Sequence, residues 1–286
     1  MELNLNDNHK GPKIYTNYQR VALIILFLRS RKSLRDFAKE LFESRWIKWL
    51  GLREIPSFRS IHEWLKRWDL KWVRKLLEQI STKSNPRTMA IDATGFDSWK
   101  RSRHYERRLK DFGVHNPHTP YAKVDFLVDT DSKIIHDFVL RTKPRHETKG
   151  ARTIFKRMKQ KQVLILADKG YDSEELHEIA IEKGNLMYAP IRDFKVKKPS
   201  GKNRRRCWKE KPENAGMRSI VEAVIYSMKT RVTSLRSKLH YMKKREMAWN
   251  IITYNLEIMI KHFDSLIKLL CKLVILNRAI FVYLIQ

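Results

Sequence analysis

The sequence has 286 residues, 42% of them apolar, and its 60 Lys and Arg residues against 31 Asp and Glu give a net charge of +29. A chain of this size can bury one core of roughly 150 to 200 residues and add a second small domain. So large a cationic excess argues against an ordinary enzyme and predicts a polyanionic partner, with nucleic acid as the first interpretation and an anionic membrane as the weaker one. A basic ribosome-associated protein is a third interpretation, because charge alone does not separate these classes.

The cysteines and the two termini bear on the compartment. Cys207 and Cys271 are far apart in the sequence, so we expect neither a disulfide framework nor a thiolate zinc site. Residues 1–13 are polar and lack the apolar run of a signal peptide. Residues 266–286 are apolar, yet three basic residues interrupt them, where a membrane-spanning helix needs about 18 or more residues with few charges. We therefore expect a cytoplasmic, nucleoid-associated protein without membrane contact, ending in a packing helix.

Helices dominate the prediction for residues 1–80, where apolar residues recur at helical spacing. Ser33 and Ser57 are the expected N-caps of two of three or four short helices. Residues 57–68 combine tryptophans with Lys and Arg. They are either part of a helix-turn-helix that reads DNA ends or core tryptophans beneath a solvated charged face. Residues 81–86 are the predicted linker.

From residue 87 the pattern changes to strands that alternate with helices. The predicted strands are residues 88–96, 122–129, 134–140, 163–167 and 186–189. The predicted helices are residues 146–159 and 172–184, and helices continue from about residue 213 to the end. The second and third strands form a hairpin, so this order predicts a mixed α/β layer in which a hairpin feeds a partly parallel sheet.

Residues 195–211 are strongly basic, with nine basic side chains and a single acid, Glu210. Because Pro199 and Gly201 interrupt regular structure, we expect a flexible loop. So many like charges repel one another unless phosphate is near, which favours a DNA-backbone clamp over a solvated insertion. The predicted DNA contacts are Lys195, Lys197, Lys198, Lys202, Arg204, Arg205, Arg206 and Lys209.

Two aspartates stand at predicted strands. Asp92 lies inside the apolar strand and Asp168 directly follows the apolar run of residues 163–167. A buried carboxylate is costly unless it is paired or binds metal, and open α/β sheets place their ligands at the carboxyl ends of strands. Either residue alone is also consistent with a capping or turn aspartate, whereas their joint appearance favours a functional site.

A third carboxylate, Glu222, is predicted on a helix. At about 100° per residue, Arg218 and Lys229 lie about −40° and −20° from Glu222, so the three form one charged stripe that borders the apolar face. The alternative is an exposed helix with an incidental ion pair. Asp92, Asp168 and Glu222 together predict a site for two divalent cations, and their oxygen ligands favour Mg²⁺ or Mn²⁺.

Three segments resemble the acidic motifs of DDE transposases from prokaryotic insertion sequences: residues 91–96, 167–172 and 218–222. In that family the last motif is a tyrosine, an arginine three residues on, a glutamate four further and a lysine seven beyond. Arg218, Glu222 and Lys229 match this spacing, whereas Ala215 stands at the tyrosine position. The resemblance covers most of the chain.

The resemblance implies an α/β, ribonuclease H-like mixed sheet flanked by helices. It places a catalytic domain at residues 87–242, with the basic insertion, between an all-helical DNA-binding or dimerisation domain at 1–80 and C-terminal helices at 243–286. It further implies that Asp92, Asp168 and Glu222 hold two catalytic Mg²⁺ or Mn²⁺ ions.

The same resemblance implies what the chain acts on. The substrate is double-stranded DNA, cleaved at transposon ends and joined to target DNA by a homodimer assembled on that DNA. Arg218 and Lys229 are then expected to contact phosphate during catalysis. The alternative is a transposase-derived protein that binds DNA without catalysis, and Ala215 is the feature that favours it.

Overall fold

The computed structural model describes residues 14–82, 84–97, 111, 113, 121–143, 146–192 and 198–283, and beyond Asp264 it describes the backbone alone. Five helices come first: α1 (Asn17–Ser30), α2 (Leu34–Glu43), α3 (Trp46–Trp49), α4 (Phe58–Arg67) and α5 (Leu70–Ser81). The middle of the chain holds β1 (Thr88–Asp97), β2 (Tyr121–Asp129), β3 (Ile135–Arg141), α6 (Glu147–Arg157), β4 (Leu164–Ala167), α7 (Glu174–Glu182) and β5 (Leu186–Tyr188). The last elements are α8 (Lys202–Lys209), α9 (Ser219–Arg231) and α10 (His240–Tyr283).

Serine side chains begin α2 and α4, as predicted. Ser33 accepts a hydrogen bond from the Asp36 amide at 3.2 Å, and Ser57 accepts one from the Ser60 amide at 3.1 Å. Each hydroxyl satisfies an amide of the first helical turn that has no partner within its own helix. Five helices form instead of the expected three or four, because the four residues of α3 make an additional turn.

The strands form one sheet in the order β3-β2-β1-β4-β5. Strand β2 is antiparallel to β1 and β3, whereas β1, β4 and β5 are parallel to one another. Every predicted strand is present, and the predicted hairpin is β2 and β3. This strand order, with its single antiparallel strand and helices on both faces, is that of a ribonuclease H-like fold, which confirms the predicted fold class.

Helices cover both faces of the sheet. One face packs against α5, α9 and α10 and includes Ala90, Phe126 and Leu166. The other face packs against α6 and α7 and includes Ile91 and Ile165. Because side chains alternate along a strand, Asp92, two residues after Ala90, lies on the face covered by α9.

The apolar core on the α9 side continues into the amino-terminal helices. Leu23 of α1 and Leu77 of α5 belong to the same buried cluster as the sheet residues. Trp68 is buried and stacks on Trp72 at 4.6 Å between ring centroids, and both rings contact Trp249 of α10. The burial of Trp68 agrees with the interpretation of these tryptophans as core residues. The proposed domain limits at residues 80 and 243 therefore separate segments that share one core.

Helices also protect the two open edges of the sheet. At the β3 edge, the side chain of Asn255 on α10 accepts from the Ile135 amide at 2.9 Å and donates to its carbonyl at 2.8 Å. At the β5 edge, Arg206 of α8 donates to the Met187 carbonyl at 3.2 Å, and Cys207 is buried beside it. Unpaired strand edges can pair with strands of other chains, so these contacts protect both edges of the sheet from association.

The prediction of a flexible basic loop is wrong for residues 202–209, which form α8. The expectation rested on Pro199 and Gly201 as residues that interrupt regular structure. Instead, the Glu174 carboxylate of α7 accepts hydrogen bonds from the backbone amides of Asn203 and Arg204 at 2.9 and 3.0 Å. It thereby satisfies two amides of the first helical turn that have no partner within α8. Gly201 has a φ of 89°, and a Cβ there would overlap the Glu174 carboxylate, so a glycine precedes the helix for two reasons.

The carboxyl-terminal part is a single helix where several were expected. Residues 240–283 contain neither Gly nor Pro, so nothing in this stretch interrupts α10. Within the ranges described above, no helix is long and apolar enough to cross a membrane.

Candidate active site

Asp92 and Asp168 follow the last paired residues of two neighbouring parallel strands. Ile91 of β1 is opposite Ala167 of β4, so the two aspartates are the next residues on their strands. Neighbouring strands lie about 4.8 Å apart. Asp168 then begins the 3-10 turn Lys169–Tyr171, and its carboxylate accepts the first amide of this turn at 2.7 Å. The structure thus brings these two predicted residues together.

The pKa of the Asp92 carboxyl is raised, mainly because the side chain is partly buried. Burial raises the pKa of the Asp92 carboxyl, and the carboxylates of Glu147 and Asp168 raise it further. The Ala93 amide, which donates to Asp92 at 2.7 Å, and the Arg218 guanidinium act in the opposite direction without reversing the shift. An added cation at this position would therefore stabilise the ionised form of Asp92.

The charged stripe of Arg218, Glu222 and Lys229 forms on α9 as the helical spacing predicts. Arg218 at the start of the helix pairs with Glu222 one turn later, with 2.8 Å between Nη2 and Oε1. Glu222 and Lys229 are exposed, while Val221 and Val224 on the adjoining face are buried. Arg218 also counteracts part of the rise in the pKa of Asp92. This guanidinium therefore acts on a carboxylate of the sheet and on one of the helix.

Glu222 is not assembled with the two aspartates. Its side chain is 54% exposed and pairs with Arg218. Among the residues whose placement is described, no three His, Cys, Asp or Glu side chains form a group able to hold a metal ion. The structure therefore joins two of the three predicted metal ligands and keeps the third beside an arginine.

Glu147 is a site residue that the sequence analysis missed. It begins α6, forms an ion pair with Lys123 of β2, and raises the pKa of Asp92. Its Oε2 would lie 2.5 Å from a Cβ on Gly170, so Gly170 lets the Asp168 turn approach this carboxylate. The sequence did contain a signal for Glu147, which is an acid in the first turn of the helix that follows β3. Because β3 runs in the same direction as β1, this helix begins at the edge of the sheet where ligands are expected.

A buried ion pair lies beneath this edge. The fully buried Asp125 of β2 accepts hydrogen bonds from Nε and Nη2 of Arg141 on β3, at 3.0 and 2.8 Å. The Tyr171 hydroxyl, from the turn that follows Asp168, lies 3.4 Å from Asp125. Burial raises the pKa of Asp125 to about 6 even though Arg141 lowers it. A Cβ on Gly150 would overlap the Asp125 carboxylate, so α6 packs closely over the pair.

The predicted DNA contacts fall into three groups. Two lie outside the described residues: Lys195 and Lys197. Four are exposed: Lys198, Lys202, Arg205 and Lys209. Two point into the protein, since Nε and Nη2 of Arg204 each donate to Asp172 at 2.7 Å and Arg206 donates to the Met187 carbonyl.

The chain is thus an α/β protein with a ribonuclease H-like sheet, and two acidic side chains, Asp92 and Asp168, lie where the pairing of β1 with β4 ends. The sequence matches the family described as Transposase DDE domain over residues 83–256. The chain belongs to this family. No curated protein matches the sequence.

Two solved structures are similar in part. One is a piggyBac transposase synaptic complex with hairpin DNA, at 14% identity and a TM-score of 0.44, covering 91% of this chain and 69% of that chain. The other is the Mos1 strand transfer complex, at 12% identity and a TM-score of 0.32, covering 88% of this chain and 78% of that chain. Similarity at this level does not by itself define an activity.

Proposed function

We propose that this chain is a DNA transposase of the insertion-sequence type, which cleaves DNA at the ends of a mobile element and joins the freed strand to target DNA. The observation that carries the proposal is the pair of Asp92 and Asp168, which directly follow the last residues that pair β1 with β4, in a member of the transposase DDE domain family. The spacing of Arg218, Glu222 and Lys229 supports the insertion-sequence subgroup.

The chemistry of the site fits divalent cations. Burial raises the pKa of Asp92, the carboxylates of Glu147 and Asp168 raise it further, and Arg218 offsets only part of the shift, so a bound cation would favour the ionised form of Asp92. Oxygen ligands favour Mg²⁺ or Mn²⁺. Asp92, Asp168 and Glu222 are the proposed ligands of two ions. When bound, such ions supply Lewis-acid activation of the attacking oxygen and charge stabilisation at the leaving oxygen.

The basic stripe on α9 has two tasks in this proposal. A guanidinium binds phosphate as well as carboxylate through paired N–H groups. Contact with DNA phosphate therefore competes with the Arg218–Glu222 ion pair and makes the Glu222 carboxylate available to the site. Lys229, exposed on the same side of the helix, binds a neighbouring phosphate. Both cations offset the charge that develops on the reacting phosphate.

The partner is double-stranded DNA, at the element's ends and at the target. The net charge of +29 supports a polyanionic partner, and the exposed cations of α8 extend the basic surface. A homodimer assembled on DNA follows from the need to join two ends. The proposed location is the cytoplasm, in association with the nucleoid.

A second candidate function is DNA binding without catalysis, by a transposase-derived protein. Two observations favour it. Ala215 occupies the position at which the resembled family has tyrosine. Glu222 is held in an ion pair with Arg218 instead of facing Asp92 and Asp168.

Three carboxamide variants test the proposal: Asp92→Asn, Asp168→Asn and Glu222→Gln. Each should remove nearly all nicking and strand transfer on labelled duplex DNA that carries the inverted repeats flanking the coding sequence. DNA affinity at fixed salt should stay unchanged or rise slightly, because each variant loses a negative charge near phosphate. Circular dichroism checks that the variants fold.

The matched control is Asp131→Asn. Asp131 is exposed in the turn between β2 and β3, at the end of the sheet opposite Asp92, so the same change in charge there should leave nicking intact. Carboxamide variants that nick as well as the parent would refute the assigned site. A parent that binds the ends tightly but nicks with neither Mg²⁺ nor Mn²⁺ would support the second candidate.

A further inference from the structure

We propose that Arg192 and Arg204 are positioning residues that hold the turn carrying Asp168, and that Arg204 does not contact DNA. The inference rests on the proposed function, in which Asp168 is a catalytic carboxylate. It reassigns one of the residues that the sequence predicts to bind DNA and adds Arg192, which the sequence analysis did not single out.

Arg192 binds the backbone immediately after Asp168. Its Nε donates to the Lys169 carbonyl at 2.7 Å, and its Nη2 donates to the Gly170 carbonyl. Its own backbone amide donates to the Asp172 carboxylate at 3.1 Å. Arg192, which follows β5 in the chain, thus contacts three positions of the turn, one, two and four residues after Asp168, and so fixes the path of the turn.

Arg204 holds the far end of the same turn. Its Nε and Nη2 donate to the two carboxylate oxygens of Asp172, each at 2.7 Å. The Asp172 side chain is fully buried and that of Arg204 is 17% exposed. Burial alone would raise the pKa of Asp172, but the hydrogen bonds from Arg204 and from the Arg192 amide outweigh it and lower that pKa. The pair is therefore ionised at neutral pH.

The geometry of α8 keeps Arg204 in this role. Glu174 accepts the amides of Asn203 and Arg204, so the backbone that carries the guanidinium is anchored to α7. Turning Arg204 outward to phosphate would leave the buried Asp172 carboxylate without its cation, which is strongly unfavourable. Arg205, the next residue, is exposed and pairs with no buried carboxylate. Its Nε donates to the Pro199 carbonyl at 3.1 Å, so its charge remains accessible to solvent and to DNA.

The functional consequence concerns the precision of the site. A catalytic carboxylate must be held within about 0.5 Å of its productive position, and residues behind the ligands supply that support. Loss of such support typically costs about 10- to 100-fold in metal affinity or activity. Loss of a DNA contact, by contrast, lowers the affinity for DNA and reduces the dependence of that affinity on salt.

The experiment compares Arg204→Gln and Arg192→Gln with Arg205→Gln, which makes the same change in charge one residue along α8. Three quantities are measured: Mn²⁺ affinity without DNA, the nicking rate at saturating DNA, and DNA affinity at fixed salt. Arg204→Gln and Arg192→Gln should lose about 10- to 100-fold in Mn²⁺ affinity or nicking rate. Their DNA affinity should fall no more than that of Arg205→Gln, in which the loss should appear in DNA affinity instead of in Mn²⁺ affinity.

Hydrogen exchange of the Gly170, Tyr171 and Asp172 amides gives a readout independent of activity. Exchange should accelerate in both positioning variants and stay at the parent rate in Arg205→Gln. If Arg204→Gln does not fold, Arg204→Lys replaces it, because lysine keeps the charge but cannot reproduce the paired hydrogen bonds. Arg192→Gln leaves the Arg204–Asp172 ion pair intact, so it tests separately whether Arg192 holds the turn.

Two results would overturn the inference. One is a greater loss of DNA affinity in Arg204→Gln than in Arg205→Gln, with Mn²⁺ affinity unchanged. The other is parent-like exchange of the turn amides in both positioning variants. A parent that neither nicks nor binds Mn²⁺ would refute the proposed function instead, and the exchange rates alone would then decide whether Arg192 and Arg204 hold the turn.

Discussion

Replacing Arg141 by Met should destabilise the fold by about 3 to 5 kcal/mol, because it leaves a buried carboxylate without its cation. The Asp125 side chain is fully buried and that of Arg141 is 9% exposed, so water cannot take the place of the guanidinium. In the parent, hydrogen bonds of 2.8 and 3.0 Å offset the cost of burying Asp125. In the variant, the Tyr171 hydroxyl at 3.4 Å is a poor substitute.

The size of this effect should depend on pH. The pKa of Asp125 is about 6 in the folded protein against 3.8 for an ordinary aspartate, a difference worth about 3 kcal/mol. Because the folded pKa is the higher one, Asp125 takes up a proton on folding between these pH values, and its contribution to stability falls as pH rises through them. Removing Arg141 raises the pKa of Asp125 further. The cost of Arg141→Met should therefore be larger at pH 7 than at pH 5.

Urea unfolding followed by circular dichroism at both pH values measures the effect. The matched control is Arg152→Met, which breaks an ion pair with Glu175 whose side chains are 50% and 53% exposed. An exposed pair of this kind contributes less than about 1 kcal/mol. Equal losses in the two variants, or a loss from Arg141→Met that is the same at pH 7 and pH 5, would contradict the view that Arg141 compensates a buried charge.

Three further predictions concern pH, salt and metal. Burial lowers the pKa of His136 to about 4, so the folded protein keeps this ring neutral, and the contribution of His136 to stability should be lost as pH drops from 6.5 towards 4; the free energy of unfolding of His136→Gln should therefore fall less than that of the parent over this range in urea titrations, and an equal fall would contradict the reasoning. Binding to duplex DNA should weaken by about 10³- to 10⁵-fold between 50 and 200 mM salt if six to ten phosphates are contacted, and a flat filter-binding series would exclude that interface. Mg²⁺ or Mn²⁺ should support nicking, whereas Ca²⁺ should support binding with little nicking, and activity that survives full chelation would exclude the metal mechanism.

The elements that the sequence predicts well are those with a local cause. Alternation and apolar runs predict all five strands, and a hydroxyl before an apolar helix predicts the N-caps at Ser33 and Ser57. The meeting of Asp92 and Asp168 also follows from local rules, since each directly follows an apolar run and parallel strands end at the same edge. Helical spacing alone places Arg218 beside Glu222.

The features that the sequence does not predict depend on partners distant in the chain. Residues 202–209 look like a repelling run of cations when considered alone, but Asp172 and Glu174, about thirty residues earlier, supply the opposite charge. Asp125 and Arg141 are likewise far apart in the sequence, and their ion pair forms only when β2 and β3 pair as a hairpin. Local reasoning counts neighbouring charges, whereas the free energy of a helix depends on whatever packs against it.

This distinction changes what the net charge of +29 means for DNA binding. Within the described residues, several arginines bind carboxylates or carbonyls of the sheet and its turns: Arg74, Arg141, Arg157, Arg192 and Arg204. The planar guanidinium, with its paired donors, suits such partly buried sites. Among the residues expected to contact phosphate, the exposed cations are mainly lysines: Lys198, Lys202, Lys209 and Lys229. A lysine ammonium binds phosphate as a mobile point charge and loses little when it stays in water. The count of basic residues therefore overstates the number of phosphate contacts, because part of the arginine content binds carboxylates and carbonyls within the protein.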